Sequence, residues 1–175
     1  HVYMHSMPGA AERVIVCNSL SKTYSITGWR LGYVQAAPHI IAQARKVHDF
    51  LTVGAAAPLQ EAAIAGLELP DTYSHGLRDL YTKKRDVFLN HLRATGLPFT
   101  EPHGAYYVLM DISSLGFQTD TEAAEWFVRE IGVAGVPGSS FFREPEHRFI
   151  RFHFAKQVET LNAAGVKLER LKLGR

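Results

Sequence analysis

At 175 residues, 46% of them hydrophobic, the chain is long enough for one or two packed domains. Its 19 basic and 17 acidic residues are mixed throughout for a net charge of +2, which argues against nucleic acid as a partner, and no apolar run approaches the ~20 residues of a membrane span. The single Cys17 excludes an intrachain disulfide, and the nine histidines lack the paired spacing of metal ligands, so His48, His75, His91 and His103 read as surface or packing residues and no metal is expected.

In chain order, Val14-Ile15-Val16-Cys17 is the first predicted strand, which makes Cys17 a buried, inert thiol. A Ser/Thr/Gly-rich loop follows, then a second strand at Leu31 to Ala36. Pro38 begins a helix with Ile40, Ile41, Ala44, Val47 and Leu51 on one face, and Pro58 opens another with Leu59, Ala62, Ala63 and Leu67. From Asp71 to about Thr95 a long amphipathic helix aligns Leu77, Leu80, Tyr81, Phe88 and Leu92, its Lys83, Lys84, Arg85 and Asp86 forming a solvated face and Gly96 ending it. Gly104 to Asp111, GAYYVLMD, has the continuous apolar and aromatic character of a buried strand. Thr119 or Asp120 caps the next helix, with Glu122 completing a capping box from Thr119 and Ala124, Phe127, Val128 and Ile131 facing inward. Val133 to Val136 forms a short strand before the turn Pro137-Gly138-Ser139-Ser140. Arg148 to Ala155 reads as a strand, and a last helix runs from Val158 to Leu171. The pattern is α/β, without internal repeats.

The chemistry concentrates in Ser19 to Gly32, SLSKTYSITGWRLG, where Lys22 sits among small residues and Arg30 follows eight positions later. Strand ends that open into such loops are where α/β proteins place reactive groups. An amine attacks a carbonyl only when unprotonated, so a nucleophilic lysine needs burial or a second positive charge nearby, and Arg30 is a candidate. Ser19-Leu20-Ser21-Lys22 also has the S-x-x-K form of serine acyl-transfer enzymes, but the S-D-N and K-T-G companions are absent, Lys22-Thr23-Tyr24 stopping one residue short. A second anchor is Arg148-Phe149-Ile150-Arg151-Phe152-His153-Phe154-Ala155. Here strand periodicity puts Phe149, Arg151 and His153 on one face and Ile150, Phe152 and Phe154 on the other.

SLSKTYSITGWRLG resembles the lysine signature of the class I/II pyridoxal-phosphate aminotransferases, the fold-type I family. The resemblance implies pyridoxal 5′-phosphate as cofactor, with Lys22 as its covalent attachment point and catalytic base, Arg30 clamping its phosphate, and Ser19, with Ser21 as a weaker candidate, adding hydroxyl hydrogen bonds. Guanidinium suits this work because its planar fork meets phosphate through parallel charge-assisted bonds. The strand around Arg151 is similar to the family's apolar-Arg-x-x-Phe-Ala strand, whose arginine pairs with the α-carboxylate of the amino acid. His153 departs from the small polar residue usual there. Tyr106 and Tyr107 are pocket candidates, Tyr106 being assigned to substrate binding.

Further expectations follow from the resemblance. The fold is the PLP-dependent transferase fold, with residues 1–82 as the C-terminal part of the large cofactor-binding domain and 83–175 as a small α/β domain. The chain opens at His1-Val2-Tyr3 without an initiating Met and its signature comes early for the family, so about half of the enzyme is expected upstream, including the partners of the cofactor ring; the 175 residues alone are expected to be inactive. The parent is expected to be a cytoplasmic homodimer moving amino groups between amino acids and 2-oxo acids, nearest in flavour to the kynurenine, glutamine and methionine group, with neither nucleic acid nor membrane as partner. Two alternatives share the lysine: C–S β-elimination, and a transcription regulator whose effector domain senses PLP.

Overall fold

In the computed structural model, which describes residues 3–171, strand β1 (Val16–Ser19) pairs antiparallel with β2 (Gly32–Gln35), Val16 opposite Gln35 and Ser19 opposite Gly32. The strand starts two residues later than the apolar run Val14-Ile15 predicts. Its partner sets the limit, because beyond Gln35 the chain turns to begin helix α1 (Pro38–Leu51) at a proline in the first turn. Helix α2 (Ala57–Leu67) follows. A small cluster holds this part together, with Leu20 and Leu31 buried against Ala63 of α2 and Tyr24, Ile26, Tyr33 and Leu59 packed around it. Helix α1 buries none of its residues, and Val47, Phe50, Leu51 and Val53 are exposed. Cys17 is exposed as well, contrary to the buried thiol expected, because its cross-strand neighbour Val34 also lies open.

Helix α3 (Asp71–Thr95) has the predicted bounds. The chain divides within it into two units, His1–His75 and Gly76–Arg175. Gly96 stops the helix at φ +77°, in the left-handed region that glycine enters without steric cost, and buried Thr95 donates to Leu92 O and accepts from Leu97 N–H. The inward face of α3 is carried by Phe88, Leu89 and Leu92, whereas the predicted Leu80 is 46% exposed.

In the second unit, β3 (Tyr107–Asp111), β5 (Phe149–His153) and β4 (Val136–Pro137) form an antiparallel sheet in the order β3-β5-β4. Arg151 is thereby placed on the central strand, between Leu109 and Val136. Val108 and Met110 of β3 and Ile150 and Phe152 of β5 point into a core shared with Phe88, Leu92, Phe127 and Leu161. GAYYVLMD therefore has one buried face, not two, since antiparallel sheets need cover on one side alone.

Helix α4 (Asp120–Trp126) is capped by Thr119, whose hydroxyl accepts from Glu122 N–H, while the Glu122 carboxylate accepts from Gln118 N–H, one residue earlier than a standard capping box. Residues Phe127–Ile131 then widen into a π-helical turn. That turn keeps Phe127 and Ile131 in the core but leaves the predicted inward residue Val128 exposed. Helix α5 (Val158–Leu168) tightens into a 3₁₀ turn, Glu169–Leu171, where a continuous helix is predicted.

Helices α3 and α5 meet at a histidine. His91 Nδ1 lies 2.7 Å from Glu169 Oε1 and Nε2 lies 3.0 Å from Asn162 Oδ1. Burial lowers the His91 pKa, but the bonds to Asn162 and Glu169 and the Glu169 charge outweigh it, and the net direction is upward. A raised histidine contributes stability below its unfolded value of about 6.5 that is lost as pH rises through the folded value. The melting temperature is therefore expected to fall across that window above pH 6.5, and His91→Gln to flatten the profile in a thermal-melt series. Gly165 of α5 is buried beneath the same imidazole, and a Cβ there would collide with His91 Cγ and Cδ2. Gly165→Ala is expected to cost about 1–3 kcal/mol by overpacking, measurable by denaturant unfolding.

Candidate active site

The first candidate site is the loop between β1 and β2. The ladder runs one step beyond the strands, Leu20 N–H donating to Leu31 O at 3.1 Å, so Ser21 to Arg30 must close over a short base. Gly32 permits this closure: a Cβ there would stand 2.6 Å from Asn18 O. Inside the loop Thr27 is the hub. Its hydroxyl donates to Ser21 O at 3.2 Å and accepts from Lys22 Nζ at 3.4 Å, while its carbonyl accepts from Arg30 Nη1 at 2.8 Å. The structure thus brings Lys22 and Arg30 together, eight positions apart in sequence, through a threonine whose role spacing does not reveal.

The conformation is held from outside as well. Arg30 adopts φ +58° and ψ +40° at the end of a 3₁₀ turn, Thr27–Trp29, and Ser25 also has φ +58°. Such left-handed backbone at non-glycine residues costs of order 1–3 kcal/mol and persists where surrounding contacts impose it. Those contacts centre on Tyr24, which stacks on Tyr73 with centroids 5.9 Å apart and packs over Gly66, where an added Cβ would be 3.2 Å from the ring. The Tyr73 hydroxyl donates to Thr23 O at 2.6 Å. Ser19 Oγ accepts from Ser21 N–H at 3.2 Å, which leaves its own O–H free to donate, and Ser21 is buried at 5% exposure.

The predicted substrate residues lie in the second unit. Arg151 on β5 has its guanidinium carbon 4.2 Å from the centroid of Tyr107 and 3.7 Å from that of Phe141. The Tyr106 and Tyr107 hydroxyls are hydrogen-bonded at 3.0 Å, and this bond, with burial and the neighbouring phenols, pushes Tyr106 up to about 12 despite the opposing Arg151 charge. His153, the departure noted in sequence, is lowered by burial and by the charges of Lys156 and Arg151. Phe141 lies in a turn with no motif of its own, so the sequence offered no signal for its contact with Arg151.

The donor set suits a phosphorylated aldehyde. The loop supplies an amine, a guanidinium and hydroxyls, and among the described residues neither Lys22, Arg30 nor Arg151 forms an ion pair, whereas Arg78, Arg85, Arg93, Arg129 and Arg148 each meet a carboxylate. Uncompensated cations held by neutral groups are what anionic ligands require. Among the described residues no cluster of three or more His, Cys, Asp or Glu could hold a metal, and no helix is long and apolar enough to cross a membrane.

The fold is part of that of the PLP-dependent transferases of fold type I, as its likeness to solved structures shows. Residues 3–166 match the family described as aminotransferase class I and II, and the chain belongs to that family, whose members depend on pyridoxal phosphate. Among its curated relatives, methionine aminotransferase of Escherichia coli is 37% identical over 98% of this chain and 45% of the relative. Kynurenine–oxoglutarate transaminase of Dictyostelium discoideum is 32% identical over 98% and 45%. Among solved structures, the E. coli protein YbdL, described as having a methionine aminotransferase function, superposes with TM-score 0.90 at 37% identity, covering 98% of this chain and 45% of the other. The aromatic aminotransferase of Pyrococcus horikoshii gives 0.87 at 32% identity, covering 98% and 46%. The chain thus spans a little under half the length of the relatives it matches.

The loop geometry makes one prediction independent of any ligand. Gly32→Ala places a methyl against Asn18 O and is expected to open the base of the loop, costing about 1–3 kcal/mol. Hydrogen exchange at the Leu20 amide, measured against the parent sequence, should accelerate accordingly.

Proposed function

We propose that this chain supplies the lysine, phosphate-binding and carboxylate-binding residues of a PLP-dependent aminotransferase, with residues 1–82 belonging to its large domain and 83–175 to its small one. The observation that carries the reading is the convergence of Lys22 and Arg30 on Thr27 within the signature loop, without an acidic partner among the described residues.

Pyridoxal phosphate, when bound, supplies an aldehyde for the amine and a sink for the electrons left at the substrate Cα. The chain's own residues do the rest. Arg30, fixed by Thr27 O, opposes the phosphate, and Ser19 and Ser21 add hydroxyl donors. Lys22 would hold the group through Nζ, and as a free amine would take the proton from the substrate Cα. Thr27 Oγ1, already bonded to Nζ, steadies the amine as it does so. Arg151 pairs with the substrate α-carboxylate, and Tyr106 lines the side-chain pocket.

The amino donor we propose belongs to the methionine, kynurenine and glutamine group, with methionine first, a reading supported by the likeness to the E. coli methionine aminotransferase. The same reading makes the complete protein a cytoplasmic homodimer acting on amino acids and 2-oxo acids, with neither nucleic acid nor membrane as partner, and leaves these 175 residues inactive by themselves.

In the complete protein, borohydride reduction followed by peptide mapping is expected to place the pyridoxyl group on Lys22; attachment elsewhere overturns the assignment. Arg30→Ala should weaken cofactor retention. Arg151→Ala should leave cofactor absorbance intact and lower kcat/KM for L-methionine by roughly 10- to 150-fold, the equivalent of a lost charge-assisted bond of about 1.5–3 kcal/mol.

A further inference from the structure

A guanidinium that must receive a carboxylate needs to be held still without being neutralised. A carboxylate of its own would do the first and defeat the second, whereas an aromatic face attracts the cation and leaves the N–H edge free. Arg151 has this second arrangement, with the ring of Phe141 at 3.7 Å and that of Tyr107 at 4.2 Å from its Cζ. Tyr107 is fixed by its strand and by the hydroxyl bond to Tyr106. Phe141 is different, since it ends a 3₁₀ turn, Gly138–Phe141, and is itself 49% exposed.

What holds that turn is Asp120. Its side chain is fully buried at the first position of α4, with Oδ2 accepting from Ser139 N–H at 2.7 Å and Oδ1 accepting from His147 Nδ1 at 2.8 Å. Ser139 lies in the turn that carries Phe141, and His147 lies just before β5, so one carboxylate ties down both ends of the connection between β4 and β5. Gly138 presses on β5 as well, with no room for a Cβ, which would stand 2.7 Å from Phe149 O.

We propose that Phe141 and Tyr107 are positioning residues that orient Arg151 toward the substrate carboxylate, and that buried Asp120 sets Phe141 in place by pinning its turn. The proposal rests on the carboxylate role given to Arg151 above. It adds a determinant of how tightly the carboxylate is held that lies outside the lysine signature.

The test uses the complete, cofactor-loaded protein, with L-methionine as donor and 4-methylsulfanylbutanoate, which has the carboxylate but no amine to react, as a calorimetric probe. Phe141→Leu is expected to weaken probe binding about 3- to 30-fold and to raise the methionine KM by a similar factor, with kcat changed by less than about 2-fold. Phe141→Tyr, which keeps a ring, should restore both. In an Arg151→Gln background, Phe141→Leu should add nothing, because the ring acts through the guanidinium. Asp120→Ala should reproduce the Phe141→Leu pattern, and His147→Ala, at a half-exposed position, tests the same pin where the buried change prevents folding. An unaltered Phe141→Leu protein, or a loss that simply adds to that of Arg151→Gln, overturns the proposal. Probe binding unchanged in Arg151→Gln itself overturns the carboxylate assignment on which it rests.

Discussion

The closure of β1 against β2 is the constraint on which the lysine loop depends. Four cross-strand pairs and the Leu20–Leu31 bond leave ten residues to span the gap, and Gly32 lets the two backbones approach where a side chain would keep them apart. The loop accommodates this with left-handed backbone at Ser25 and Arg30, and hydrophobic anchoring at both ends offsets the strain. Leu20 and Leu31 bury on Ala63, while Tyr24 is fixed between Gly66 and Tyr73. Lys22 and Arg30 are consequently presented by a scaffold whose energy comes from apolar packing rather than from their own contacts.

Neutral anchoring of cations recurs in both units. Thr27 receives Lys22 and Arg30 through oxygens that carry no formal charge, and Arg151 rests on aromatic rings. Arginines such as Arg78 and Arg93 instead lie beside carboxylates at exposed positions, where an ion pair adds little to stability. A cation with a resident carboxylate must give it up to take a ligand, whereas one held by a hydroxyl, a carbonyl or a ring keeps its charge for an incoming anion.

Asp120, the one deeply buried side-chain carboxylate among the described residues, serves a different end. Burial alone would raise its pKa, yet the bonds from His147 and Ser139 hold it below the usual carboxylate range, so it remains an acceptor. Such a group organises backbone, here by adding a polar tie at both ends of the connection between β4 and β5. The sheet supplies Arg151 and this loop supplies one of its two aromatic contacts.

Local chemistry explains what could be read directly from the amino acids. The bounds of α3 follow from a 25-residue apolar period ended by Gly96, the Thr119 cap from its hydroxyl and Glu122, and the alternation in Phe149–His153 from strand geometry, all of them decided by neighbours a few residues away. The family was legible for the same reason, since SLSKTYSITGWRLG keeps its informative residues in one window. Tertiary packing decided the rest. The exposure of Cys17, the outward turn of Val128, the hub role of Thr27 and the contact of Phe141 with Arg151 depend on which surfaces another element covers and on where a loop closes. Those are properties of residues brought together by folding, and periodicity along the chain carries no record of them.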